Sequence, residues 1–88
     1  MPYVYFLKSL KDFKGYIGST VNIRKRINEH NTGRVLSTKH RRPLILMGYQ
    51  YFTTIEEAAQ LEKKYKRSHD FVKRQTKLGN IIMVKNGV

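Results

Sequence analysis

Cysteine is absent from this chain, which rules out a disulfide framework and any thiolate metal site. A cysteine-free protein suits a reducing compartment, and the expected location is the cytoplasm, against the nucleoid. Acid is nearly as scarce: Asp and Glu number 6 against 18 Lys and Arg, leaving a formal net charge of +12. Long apolar runs are missing too. No stretch approaches the roughly 18 apolar residues of a membrane span, and no strongly basic helix has the broad hydrophobic face of a surface anchor. The opening residues, MPYVYFLKS, are too short and wrongly built for a secretory signal. A charge excess of this size draws polyanions by releasing their condensed counterions, so affinity should fall as salt rises. Nucleic acid is the expected partner; a membrane or a small-molecule substrate is not. A monomer is expected of so basic a surface, because like charges repel, with a dimer as the alternative.

What is present suffices for one core. The 88 residues are 40 % hydrophobic, with 6 Tyr and 4 Phe, and a chain of this length buries roughly 60–65 % of its unfolded surface. One domain over residues 1–88 is expected, without repeat, linker or low-complexity run. YVYFLKS at 3–9 is aromatic and β-branched, a turn at LKDFKG follows, and YIGS at 16–19 completes a β-hairpin. Gly18 inside that second strand points to a bulge, or to close approach of another backbone or a ligand. Thr20 or Asn22 should cap a helix with Ile23 and Ile27 as its apolar pair and Gly33 as its stop. A basic, irregular connection, RVLSTKHRRP at 34–43, leads to the best strand in the chain, LILMGYQYFT at 44–53. Thr54 with Glu57 forms a capping box for a second helix. A third helical stretch over 70–78 puts Phe71, Val72, Gln75 and Leu78 on one side. Residues 81–84, IIMV, read equally well as a short strand or a packed extension. The order is ββαβα plus a C-terminal helix or tail: an α/β fold of the α+β kind, with a small three-stranded antiparallel sheet flanked by helices.

Five residues carry candidate chemistry. In TIEEAAQLEKKYKR, residues 54–67, the apolar Ile55, Ala58, Ala59 and Tyr65 recur at helical spacing. Glu62 projects among them, while Glu56 and Glu57 point elsewhere. A carboxylate pushed toward a core is costly unless it is paired or holds a metal. Arg26 and His30 stand one turn apart on the first helix. With Ile23 and Ile27 inward, His30 falls close to their side, Arg26 at its border, and Lys25 and Glu29 face solvent. Tyr5 and Tyr16 lie on the paired strands of the hairpin. A divalent ion on Glu62 would polarise a phosphate and stabilise the leaving oxygen. Arg26 would bind developing phosphorane charge with its forked donors, and a phenol or imidazole would take the proton from an attacking water. A free phenol titrates near ~10 and needs help from nearby cations, whereas imidazole is better matched.

Lys39, Arg41 and Arg42 before the third strand, and Lys63 and Lys66 on the second helix, are candidate phosphate contacts. Phe13 at the hairpin tip is an exposed turn residue or a platform for an unpaired base. The three histidines, His30, His40 and His69, lack the spacing of zinc ligands. Taken singly, each residue has a plainer use: strand tyrosines pack, an Arg–His helix pair is solvated, and Glu62 bridges to a lysine or to Arg26. Their joint occurrence in one order is what points to chemistry.

Tyr3-Val4-Tyr5, then Tyr16-Ile17-Gly18, then Arg26 and His30, then Glu62 in LEKKYK, resemble the GIY-YIG nuclease superfamily. The wording VYFLKS, YIGSTVNIRKRINEHNTG and STKHRRP is similar to its single-domain bacterial members, which are often labelled as relatives of the N-terminal domain of an excision-repair endonuclease. The resemblance covers at least residues 3–67. It implies an endonuclease that hydrolyses DNA phosphodiester bonds, branched and single-stranded DNA included, in repair, recombination or removal of foreign DNA. It implies one divalent ion, Mg²⁺ or Mn²⁺, on Glu62, with Arg26 on the scissile phosphate and Tyr5, Tyr16 and His30 around the attacking water. Which of those three is the base stays open, with Tyr16 assisted by His30 preferred. Tyr3 and Val4 replace the family's Gly and Ile, and Ser19 stands where some members have lysine. Better-studied members carry an asparagine beyond the glutamate, for which Asn80 and Asn86 are the candidates. The rival expectation is the same fold kept as a nucleic-acid-binding module with feeble or lost catalysis. The plainest is a ribosome- or nucleoid-associated basic protein without a site.

Overall fold

Alternation of side chains decides the sheet. In the computed structural model, which describes residues 1–85, β1 (Tyr3–Ser9) buries Val4 on one face and Tyr5, Leu7 and Ser9 on the other. Both neighbours of β1 are antiparallel. On one side lies β2 (Gly15–Thr20), in unbroken register from Tyr3–Thr20 to Lys8–Gly15. On the other lies β3 (Leu44–Tyr51), where Phe6 faces Gly48 but Leu7 faces Leu46, so Met47 bulges out of the ladder. The N–H of Val84 takes up the Met47 carbonyl at 2.9 Å, beside a last short strand, β4 (Ile82–Met83), paired to Gly48 and Tyr49. The sheet therefore has four strands in the order β2-β1-β3-β4, not three. Hydropathy could not separate a strand from an extension in so short a segment; pairing to the open edge of β3 decides it.

Helix α1 (Ile23–Asn31) packs on the Tyr5 face. Of the two cap candidates Asn22 does the work, its side-chain oxygen accepting the Lys25 N–H at 3.0 Å, and Gly33 takes a φ of 79° just past the end. The Val4 face is covered by α2 (Ile55–Arg67) and α3 (His69–Lys77), which share Ser68 as the end of one and the cap of the other. Here Val4, Phe52, Ala58, Tyr65 and Ile81 form the buried cluster. Strand β3 stops two residues short of Thr53: the Phe52 N–H still reaches the Pro2 carbonyl at 2.8 Å, but Pro2 has no N–H to return and the ladder ends there. Thr54 caps α2 through the Glu57 N–H at 3.1 Å, while the Glu57 carboxylate receives the Thr53 and Thr54 hydroxyls rather than closing a reciprocal box. In α3, Phe71, Val72 and Gln75 are half-buried as spaced, but Leu78 lies beyond the helix and is exposed.

The apolar stripe of α2 differs from its reading in sequence. Ala58 and Tyr65 are buried with Leu61 half-buried between them, while Ile55 and Ala59 are exposed. Glu62 flanks this stripe instead of projecting through its middle, and its side chain is 20 % exposed.

The hairpin tip is tied down by polar groups. The buried Ser9 hydroxyl accepts from the N–H groups of Lys11 and Asp12 at 3.0 and 3.1 Å and donates to the Arg41 carbonyl at 2.6 Å. Asp12 accepts from the Lys14 N–H at 2.9 Å and from Arg41 Nε at 2.7 Å. The Arg41 contact, then the Lys14 N–H, holds the Asp12 carboxyl well below the usual carboxylate range. At the tip Phe13 takes a φ of 60°, a left-handed conformation that costs a non-glycine residue about 1–2 kcal/mol.

Candidate active site

The site starts from Tyr5, whose register partner across the hairpin is Gly18. The Tyr5 ring lies over that glycine: a Cβ there would come within 2.6 Å of the ring's Cζ and closer still to the hydroxyl. Gly18 is thus required by a side chain, not by a bulge or a second backbone, since the β1–β2 register runs through it unbroken. Tyr5 is 1 % exposed, and its hydroxyl meets His30 Nε2 at 2.9 Å. His30, fully buried, has its other ring nitrogen 2.7 Å from the Thr38 hydroxyl. Arg26 Nε donates to the Tyr5 oxygen at 3.4 Å. The Tyr16 ring stands edge-on to His30 at 4.9 Å and 6.3 Å from that of Tyr5. Four sequence candidates, Tyr5, Tyr16, Arg26 and His30, therefore form one cluster.

Proton positions follow from these partners. With Arg26 donating to the Tyr5 oxygen, the phenol proton points to His30 Nε2, which leaves the proton of the neutral imidazole on Nδ1 for Thr38. Burial, reinforced by the Arg26 charge, lowers the His30 pKa to about 4. Burial raises that of Tyr5 to about 12, and the hydrogen bond from Arg26 offsets only part of the effect. At neutral pH both groups are uncharged. Among the described residues no hydrogen bond or ion pair joins Glu62 to the four clustered residues; it approaches them through its partner Lys66, which lines the same groove as Tyr16, and its charge adds only the smallest of the effects on the Tyr5 phenol. Arg26 Nη1 binds Glu29 Oε1 at 3.2 Å, with Glu29 half-buried at 26 % exposure instead of facing solvent.

Glu62 itself pairs with Lys66 at 2.7 Å, not with Arg26. Among the described residues no three His, Cys, Asp or Glu gather as a metal cage. One carboxylate supplemented by water and phosphate oxygens is a donor set that suits Mg²⁺ or Mn²⁺, so Glu62 fits a hard divalent ion and not zinc. Asn80 donates to Gln75 Oε1 at 2.6 Å at the end of α3 and is spent there; Asn86 lies outside the described residues.

The basic candidates divide. Arg41 is a strap: besides Asp12, it reaches the carbonyls of Lys14 and Gly15 at 3.0 and 3.2 Å. Arg42 donates to the Lys39 carbonyl at 2.8 Å and lies against Gly33. Lys39 and Lys63 are exposed, and Lys66 covers Glu62. Thr38 was missed in sequence because a threonine in a basic loop carries no mark of burial. Two concavities follow the outer edge of β2: an apolar groove of about 510 Å³ reached by Gly15, Tyr16 and Lys66, and a polar one of about 410 Å³ beside Ser19, Arg26 and Glu29.

A basic α+β fold that gathers two phenols, an imidazole and an arginine beside a carboxylate has the parts of a phosphodiester hydrolase. Residues 1–75 match the GIY-YIG catalytic domain, and the chain belongs to this nuclease family. It is 40 % identical over 65 residues to the UPF0213 protein SH2523 of Staphylococcus haemolyticus, covering 73 % of this chain and 78 % of that protein. Over 85 residues it is 34 % identical to the UPF0213 protein SAG0778 of Streptococcus agalactiae, covering 96 % of this chain and 91 % of the relative. A third relative, the UPF0213 protein CPE1444 of Clostridium perfringens, is 40 % identical over 68 residues, 76 % of this chain and 72 % of its own length. No solved structure gives a significant match. No helix among the described residues is long and apolar enough to cross a membrane.

Proposed function

We propose that this protein is a metal-dependent DNA endonuclease, acting in repair, recombination or removal of foreign DNA. The observation that carries the reading is the Tyr5–His30–Arg26 cluster at the β2 edge, held by contacts of 2.9 and 3.4 Å with Tyr16 against the same imidazole. Arg26 directs Nε to Tyr5 and Nη1 to Glu29, which orients the remaining Nη2 for a phosphate oxygen and its developing charge. Tyr5, buried and with its pKa raised, keeps its proton and positions Arg26. Tyr16 is half-buried, and its hydroxyl has no protein partner among the described residues, so it is the phenol open to a water. As a phenolate, its own proton given up to solvent, it would accept the proton of the attacking water, while His30, sealed from solvent, acts on both phenols as a positioning residue. Glu62 would hold the divalent ion, which when bound supplies Lewis-acid stabilisation of phosphate and leaving oxygen. Lys66 would then leave Glu62 for a phosphate of the DNA backbone.

The test is a nicking assay on supercoiled, branched and single-stranded DNA with Mn²⁺. Wild type should cut, and Glu62→Ala and Arg26→Ala should each fall by about 10²-fold or more, with affinity in EDTA at low salt largely kept. Equal cutting in EDTA would refute the metal. Absence of cutting by wild type on every DNA would transfer the protein to the second reading, a nucleic-acid-binding module of the same fold. That reading draws on Asn80, which is engaged with Gln75 away from the cluster.

A further inference from the structure

Phe13 is the one bulky residue among the described residues with a positive φ, at 60°. Its position in the hairpin loop follows the Lys11–Asp12 turn, where glycine or asparagine sits without strain. A phenylalanine there is unfavourable twice over, since the residue is also 68 % exposed. The loop that imposes this conformation is over-determined: Ser9 and Asp12 accept three backbone N–H groups, and Arg41 clamps Asp12, the Lys14 carbonyl and the Gly15 carbonyl at the start of β2. The tip is therefore a rigid mount, and what it presents is an aromatic ring. The Lys8 ammonium stands over that ring at 5.7 Å, and Lys11 and Lys14 flank it in the chain. Rigid aromatic display within a cluster of cations is the chemistry that stacks nucleobases while holding their phosphates.

Position relative to the active site sharpens this. Phe13 precedes Tyr16 by three residues, at most about 10 Å of chain and so no more than about three stacked nucleotides of one strand. Between them lies Gly15, at the mouth of the apolar groove that also reaches Tyr16. A paired base offers no face to such a ring, whereas an unstacked one does. We infer that Phe13 is a stacking platform for an unpaired nucleotide a few positions from the cleavage point, so that the enzyme's substrate class is DNA with an interrupted duplex. This rests on the endonuclease reading and adds to it the substrate's form.

The experiment compares wild type, Phe13→Gly and Phe13→Trp for binding in EDTA to a duplex and to the same duplex carrying a single-nucleotide bulge of 2-aminopurine. Wild type should prefer the bulged DNA by about tenfold or more, the scale of one base–aromatic stack, and quench the 2-aminopurine fluorescence. Phe13→Gly should lose both the preference and the quenching. It should at the same time melt about 4–8 °C higher, because the backbone strain is gone. Phe13→Trp should retain both. An unchanged preference in Phe13→Gly, or wild-type binding that ignores the bulge, would overturn the inference while leaving the nuclease reading standing if cutting persists. Failure of wild type to bind either DNA would overturn both.

Discussion

Against α2 and α3 the structure buries Val4, Phe52, Ala58, Tyr65 and Ile81; on the α1 side it buries Tyr5, Leu7, Leu44 and Leu46 with Ser9, His30 and Thr38 among them. The first cluster is ordinary hydrophobic packing, tightened by Tyr65 set edge-on to Phe6 at 5.3 Å and stacked on Phe71 at the same separation. The second carries polar groups into the interior and satisfies each: among the described residues no buried side-chain nitrogen or oxygen lacks a partner. One sheet thus serves two purposes. The α2–α3 face chiefly stabilises the fold and lends the site only Glu62 from its border, while the α1 face uses burial to orient phenol, imidazole and guanidinium at the β2 edge.

Three perturbations separate the faces. Tyr65→Ala should have the largest effect on stability, about 3–5 kcal/mol by urea denaturation, because it opens a cavity in the apolar cluster. Its residual folded fraction should keep the wild-type pH profile of cutting. Acid should act on the other face. The folded-state pKa of His30 is lowered to about 4 from a reference of 6.5, so between those values the unfolded chain binds the extra proton. Stability from this group is fully present above pH 6.5 and drains away as pH falls toward 4, by about 3 kcal/mol. Urea midpoints between pH 7 and pH 4.5 should show that slope in wild type and lose most of it in His30→Gln; an equal slope in both would remove His30 as its source. Thr38→Val should have the smallest effect on stability, about 1–3 kcal/mol for an imidazole N–H left without its acceptor. Because that contact orients the ring, the variant should lose cutting activity beyond what its stability change explains, and Thr38→Ser should restore it.

Local geometry and tertiary packing divide the fold between them. The opening hairpin, the Asn22 alternative for the first cap, the Gly33 stop and the Thr54 start were legible because each rests on local geometry: side-chain alternation, capping oxygens, a left-handed glycine. The fourth strand was ambiguous, since two residues have no periodicity and become a strand only by pairing to β3. Helical spacing alone puts Glu62 in the centre of an apolar stripe because it treats Ile55 and Ala59 as inward; packing of α2 on the sheet instead buries Ala58 and Tyr65 and leaves Glu62 at the border, beside Lys66. Arg41 read as a phosphate contact on charge alone, and the fold uses it to bind Asp12 across 29 residues.

The order of residue types along the chain by itself determined the family, the α+β class and the basic character of the surface, because these depend on composition, periodicity and motif spacing. Only the tertiary structure decided that His30 is sealed between Tyr5 and Thr38, that Gly18 is empty to admit a phenol, and that Arg41 pins the hairpin loop on which Phe13 takes a strained conformation. Those are contacts between segments distant in sequence, and their energies arise from burial and hydrogen bonding that no local pattern encodes.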